Sequence, residues 1–278
     1  MHHRPLLSFL RRPAFASSAP TRLTLWDWVG WVGLLVVVAV LGSGLDSFLV
    51  HTFHWSVPAH SAWMEVLRRP SWVAVTMMLP APALEELGFR AFLSSAPKLV
   101  FTGLAFFPAY VFVLIRNNLV RVTIPASPAA ALTGYLHASW VVLGAGAVSL
   151  LLYRYRRDAV IRLFQRRAGW IFWISCGVFG AGHTVLYTNS FAWWGFALVA
   201  PQFLAGIVLA YVRVSFGLRW SIASHYALDV LAALPSWLYF SVSPHGPLYG
   251  LLLATSGVIL AIMAYGVVAL ARVVRLRW

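Results

Sequence analysis

The sequence predicts an all-α fold, a polytopic bundle of about eight helices that cross a membrane, and three observations carry that prediction. Of the 278 residues, 61% are hydrophobic and only 10% are charged, against roughly 25% charged in an ordinary soluble domain. Apolar runs of bilayer-spanning length follow one another along the chain, and the arginines gather at the ends of those runs. The mean hydropathy of +0.79 expresses the same imbalance. A single soluble core cannot absorb so much apolar surface, whereas at roughly 20 apolar residues per crossing the chain holds about eight or nine spans.

Taken in order, the runs cover about 24–50, 70–96, 99–116, 129–152, 168–188, 191–212, 219–241 and 248–271. Before them, residues 1–23 carry Arg4, Arg11, Arg12 and Arg22, with no compact apolar stretch ahead of Pro20. That segment reads as cytoplasmic and mobile, without a cleaved signal peptide, and the first span as an uncleaved anchor. Residues 24–278 then form one transmembrane domain. The stretch 153–167 sets Arg154, Arg156, Arg157, Arg162, Arg166 and Arg167 against Asp158 alone, so it reads as a cytoplasmic loop. Alternating outward from it places Lys98, the turn from Arg213 to Arg219, the tail with Arg272, Arg275 and Arg277, and both termini on the cytoplasmic side, as for a bacterial inner membrane. The outer loops at 51–69, 117–128, 189–190 and 242–247 are poorer in positive charge, with Arg68, Arg69 and Arg121 as exceptions.

The formal charge of +14 therefore reads as topology and contact with anionic lipid headgroups. Nucleic acid is set aside, because the basic residues are not interleaved with solvent-facing aromatics. Cys176 is the single cysteine, which excludes an intramolecular disulfide and a thiolate metal cluster.

The chemistry rests on the acidic residues. Of seven, Glu85, Glu86 and Asp229 fall well inside predicted spans, where a charge costs at least a few kcal/mol and usually faces the bundle interior to serve a site. A buried polar set that only fixes packing is the plainer alternative. In Leu84-Glu85-Glu86-Leu87-Gly88-Phe89-Arg90, helical spacing lets Arg90 neutralise Glu86 four residues before it. Glu85, turned about 100° away, is the freer carboxylate and suits taking a proton from water. Pro80 and Pro82, about one turn earlier, are expected to kink this helix. Two further elements carry histidine: Phe179-Gly180-Ala181-Gly182-His183 and His225-Tyr226-Ala227-Leu228-Asp229, the second with His and Asp on one face.

Depth offers a geometric check. Counted as helix, Glu85 lies about 13 residues before Lys98 and His183 about 16 after Arg167, so both sit roughly 20 to 24 Å from the cytoplasmic boundary. His225 and Asp229, counted from Arg219, come out shallower, at roughly 9 to 15 Å.

The ordered set Glu-Glu-x-x-x-Arg, Phe-x-x-x-His and His-x-x-x-Asp inside membrane spans resembles the signature of the CAAX-protease and bacteriocin-processing (CPBP) membrane family, which includes the Ras-converting enzyme. The run through Gly206, Tyr211, Arg213, Gly217, Leu218 and Trp220 to His225 resembles the family's approach to its third motif. The resemblance covers about 70–98 and 168–242. It implies an intramembrane endopeptidase in which Glu85 and His183 activate the attacking water, Glu86 pairs with Arg90, and His225 with residue 229 stabilises the oxyanion. Asp229 stands where the best-known peptidases have Asn, and an ionised Asp cannot donate a hydrogen bond, so it must be protonated, orient His225 or act as a ligand. A further departure is a helix pair at about 99–167 inserted between the first and second motifs.

No cofactor is required by this reading. Zinc is the one candidate, since Glu85, His183, His225 and Asp229 are acceptable ligand types, although no His-Glu-x-x-His helix is present. The implied partners are membrane lipids and a peptide or protein substrate, lipidated by the family's precedent. Two rivals use the same residues: a non-catalytic scaffold or bacteriocin-immunity protein of the same family, and a proton-coupled transporter, for which no inverted repeat is seen. His51, His54 and His60 read as solvated loop residues, His137 and Cys176 as packing residues, and the Trp and Tyr residues as interfacial belts and packing.

Overall fold

The computed structural model describes residues 6–11, 13, 15, 23–54, 79–120, 128–186, 195–241 and 248–275. Every regular element among them is helical. In chain order these are α1 (Leu6–Arg11), α2 (Leu25–Phe53), α3 (Ala81–Phe89), α4 (Pro97–Val120), α5 (Pro128–Arg166), α6 (Ala168–Gly182), a 3-10 turn (His183–Leu186), α7 (Gly195–Leu198), α8 (Ala200–Phe216), α9 (Leu218–Ser241) and α10 (Leu248–Arg275).

Local signals account for the ends. Thr24 caps α2 by accepting from the Asp27 amide, and the Asp27 carboxylate reaches back to the Thr24 amide, so two otherwise unpaired donors are satisfied reciprocally. Prolines stand in the first turns of α3 and α8, where the missing N–H is not needed. Gly217 separates α8 from α9 with φ 103°, a conformation that a side chain would strain.

The helix α8 is the axis of the bundle, packed on α2, α6 and α9. Its Leu209, Ala210 and Val212 are fully buried, among Phe172 and Cys176 of α6 and Leu35 of α2. The pair α2 and α10 crosses backbone to backbone: a Cβ on Gly33 would lie 2.2 Å from the Ile262 carbonyl oxygen, and one on Gly266 would lie 2.4 Å from the Gly33 carbonyl carbon. Outward faces are apolar, including Leu251, Leu253, Val258 and Leu260 of α10 and Leu143, Leu150 and Leu151 of α5. Such exposed apolar surface is foreign to a water-soluble monomer.

By length and composition, two described helices can cross a membrane, Leu25–Phe53 and Tyr249–Ala269; Pro97–Phe112, Ala168–Gly182 and Ala200–Phe216 are shorter and apolar. The expected run at 70–96 is not one continuous helix. Pro80 and Pro82 stand at the start of α3, which ends at Phe89, and residues 90–95 are turn and bend. The basic stretch 153–167 is helix too as far as Arg166, interrupted at Arg156 (φ −134°, ψ 15°), because arginine is a good helix former and no Gly or Pro breaks it. All six of its arginines are exposed. The N-terminal segment is not wholly detached: Phe9 of α1 is buried, edge-on to Phe172 at 5.2 Å and Tyr211 at 5.4 Å. His51 lies within α2 and His54 caps it in the left-handed region. His60, the outer stretch 189–190 and most of the other outer loops lie outside the described residues, as does the His137 side chain.

Candidate active site

The site forms where α3, α6 and α9 meet. The helix α3 brings two adjacent carboxylates inward. It ends without a glycine because its last carbonyls, orphaned by the helix end, are taken by side chains: Ser175 donates to Phe89 O, while Arg213 donates through Nε to Arg90 O at 2.9 Å and through Nη2 to Ala91 O at 3.2 Å. Arg213 is thus buried in the core, and only Arg219 of the expected cytoplasmic turn is exposed.

Glu86 is fully enclosed. Its Oε1 accepts from Arg90 Nη1 at 2.7 Å and from His225 Nδ1–H at 3.0 Å, and its Oε2 accepts from the Ser221 hydroxyl. Arg90 is 1% exposed and has no hydrogen-bond acceptor for Nε or Nη2. Its guanidinium instead lies over the Phe179 ring, Cζ 4.0 Å from the centroid, a favourable cation–π geometry. The absence of a side chain at Gly206 permits this, since a Cβ there would stand 3.0 Å from the Phe179 ring and 3.5 Å from Arg90 Nη2. Phe179 also presents edge contacts to His183 (4.8 Å) and His225 (5.8 Å). The phenylalanine of the second motif is therefore the apolar joint between the other two motifs.

Glu85 faces elsewhere. Its Oε1 accepts from the Tyr110 hydroxyl at 2.7 Å, and its Oε2 lies 3.6 Å from His225 Nε2, beyond hydrogen-bond length. Asp229 Oδ1 is 3.9 Å from the same Nε2. His225 thus stands among three carboxylates, with Glu86 at Nδ1 and Glu85 and Asp229 towards Nε2. It is steadied on both sides in sequence: Trp28 Nε1 donates to Ser224 Oγ at 3.0 Å, and Tyr226 donates to Leu79 O. His183 follows the last residue of α6, and its Nδ1–H donates to Phe179 O at 2.8 Å. Because that partner is a carbonyl, Nδ1 carries a proton, and when the ring is neutral Nε2 holds the lone pair.

The level of Glu85 also follows. Only four further residues of α3 are helical after it, so the count of about 13 helical residues to Lys98 does not apply, and Glu85 meets His225 directly. Cys176 is buried among the core aromatics. Among the described residues, no three His, Cys, Asp or Glu side chains are grouped so as to hold a metal ion. Glu85, His183, His225 and Asp229 are therefore not gathered as a ligand set in this arrangement.

Tyr110 and Ser221 join the site although the sequence did not single them out. Ser221 had a signal, lying four residues before His225 on the same helical face. Tyr110 had none, since it comes from α4, which carries none of the three motifs.

A comparison with protein families matches residues 67–231 to the model of one described as Rce1-like: Type II CAAX prenyl endopeptidase Rce1-like. Neither a curated protein nor a solved structure matches the chain.

Proposed function

Because the chain belongs to the Rce1-like family of type II CAAX prenyl endopeptidases, a family of membrane proteases, we propose that it hydrolyses a peptide bond of a lipidated peptide with water activated by Glu85 and His183. The observation that carries this reading is the contrast between the two adjacent carboxylates. Glu86 is saturated by Arg90, His225 and Ser221, whereas Glu85 Oε2 has its nearest partner, His225 Nε2, at 3.6 Å and is left to accept a proton.

In the proposed reaction, water hydrogen-bonds to Glu85 Oε2 and to the lone pair of His183 Nε2. Its oxygen attacks the peptide carbonyl carbon as its proton passes to Glu85. The carbonyl π electrons move to oxygen, and that oxyanion forms beside His225. A His225 with protons on both ring nitrogens satisfies Glu86 through Nδ1 and offers Nε2–H to the oxyanion. Asp229 serves as the orienting carboxylate on that side, not as a donor. Collapse of the intermediate breaks the C–N bond, and the proton held by Glu85 goes to the leaving amine.

The rest of the reading concerns placement. The helices enter the bilayer as a bundle of about eight, with both termini and the arginine-bearing end of α5 on the cytoplasmic side of a bacterial inner membrane. Buried Cys176 leaves the chain silent to an impermeant maleimide, so an Arg162→Cys variant reports orientation. Labelling in inverted membrane vesicles but not in spheroplasts is expected, and the reverse pattern contradicts the topology. The activity itself is tested by reconstituting the protein in liposomes with a farnesylated peptide ending in Cys-aliphatic-aliphatic-X. Mass spectrometry should find a product cut within that terminus. An intact peptide after prolonged incubation overturns the proposal.

A further inference from the structure

We propose that Tyr110, carried by α4, is a positioning residue for the Glu85 carboxylate, so that the helix between the first and second motifs completes the site. The inference rests on the reading of Glu85 as the base and extends it to a part of the chain outside the three motifs.

The hydroxyl of Tyr110 donates to Glu85 Oε1 at 2.7 Å, a length typical of a good O–H···O bond. With its single proton used in that bond, Tyr110 has a defined effect. It removes one rotational freedom from the carboxylate and occupies Oε1, so that Oε2 is the oxygen turned towards His225. A proton drawn from water then arrives on Oε2, and Tyr110 keeps its own throughout.

The bond has a rigid support. Seven residues before Tyr110, at the same face two turns away, Gly103 meets the turn that follows α3: a Cβ there would lie 2.6 Å from the Phe92 amide nitrogen. Backbone therefore touches backbone at that point. At Tyr110 itself the ring stands edge-on to Phe89, centroids 4.7 Å apart, and Phe89 is fully buried. Gly88 leaves its Cβ position 3.6 Å from Tyr110 Cβ, an ordinary contact. Two fixed points thus set the distance from α4 to α3, and the hydroxyl reaches Glu85 without freedom to wander. Such support distinguishes a built contact from an incidental one, because misplacing a reacting group by about 1 Å can cost on the order of 100-fold in rate.

Tyr110→Phe keeps the ring and its contact with Phe89 while deleting the hydroxyl. With the reconstituted protein and the farnesylated peptide, kcat is expected to fall about 10- to 100-fold while KM stays within about twofold. In a Glu85→Gln background the same change should cause no further loss, because the base it positions is gone. A Tyr110→Phe kcat within twofold of the parent, with Glu85→Gln inactive, overturns the role of Tyr110 and leaves the Glu85 assignment standing. If turnover instead survives Glu85→Gln, the assignment of the base fails. A thermal double-mutant cycle between Tyr110→Phe and Glu85→Ala then judges the contact alone, and additive melting shifts overturn it.

Discussion

Removing the Glu86 carboxylate is expected to cost the protein its stable fold. Glu86→Ala leaves the Arg90 guanidinium, 1% exposed, without a counter-charge and strips His225 Nδ1 of its acceptor, while the Ser221 hydroxyl keeps Leu209 O. Breaking a buried ion pair on one side costs about 3–5 kcal/mol, a large part of the roughly 5–15 kcal/mol that holds a typical fold. The expected result is a large drop in melting temperature, or loss of the monodisperse species, on size-exclusion in detergent. Replacing both partners by apolar residues, Glu86→Leu with Arg90→Met, should restore much of the loss, because no unpaired charge then remains buried. A Glu86→Ala protein that melts with the parent contradicts the view that this pair anchors α3.

The neighbouring position is expected to behave in the opposite way. Glu85→Gln retains an oxygen that can accept from Tyr110, so the fold should persist and the melting temperature change by only a few degrees. What disappears is the ability to take a proton, which in general-base catalysis is worth about 100- to 10,000-fold. Turnover of the farnesylated peptide should fall by at least that much. Activity within tenfold of the parent would sink the assignment of Glu85. The expected results assign the two adjacent glutamates a structural and a chemical role, and the two variants read those roles through different observables.

Much of this arrangement was legible from spacing. The four-residue interval from Glu86 to Arg90 gives their ion pair and the 100° turn gives Glu85 a separate partner in Tyr110, although both carboxylates also border His225. The helices at 24–50, 219–241 and 248–271 were visible as uninterrupted apolar runs, and the structure has α2, α9 and α10 there. Spacing failed where the chain leaves regular structure inside an apolar stretch. The run 70–96 contains only turns after Phe89, held by Ser175 and Arg213 from other helices, and no local pattern encodes those distant partners. The arginines of 153–167 failed in the converse sense, since charge marks an interface with water or headgroups but does not end a helix. Arg213 was taken for a boundary marker because a basic residue near a helix end usually is one, yet here it satisfies backbone carbonyls in the core. The count of crossings rests on the same hydropathy reasoning; two described helices meet its length and composition.

The helix pair at about 99–167 reads in the sequence only as a departure from the family's motif spacing. The structure gives its first helix a more specific part, because Tyr110 of α4 donates to the carboxylate proposed as the base.

The central claim is that Glu85 activates water and does not itself attack the substrate. A single-turnover reaction in ¹⁸O-water, with reconstituted enzyme in excess over the farnesylated peptide, tests this most directly. Direct attack by water places one ¹⁸O in the new C-terminal carboxylate during the first turnover, and that is the expected result. A first-turnover product carrying only ¹⁶O would mean that an oxygen came from an enzyme carboxylate through a covalent acyl intermediate, and would contradict the account.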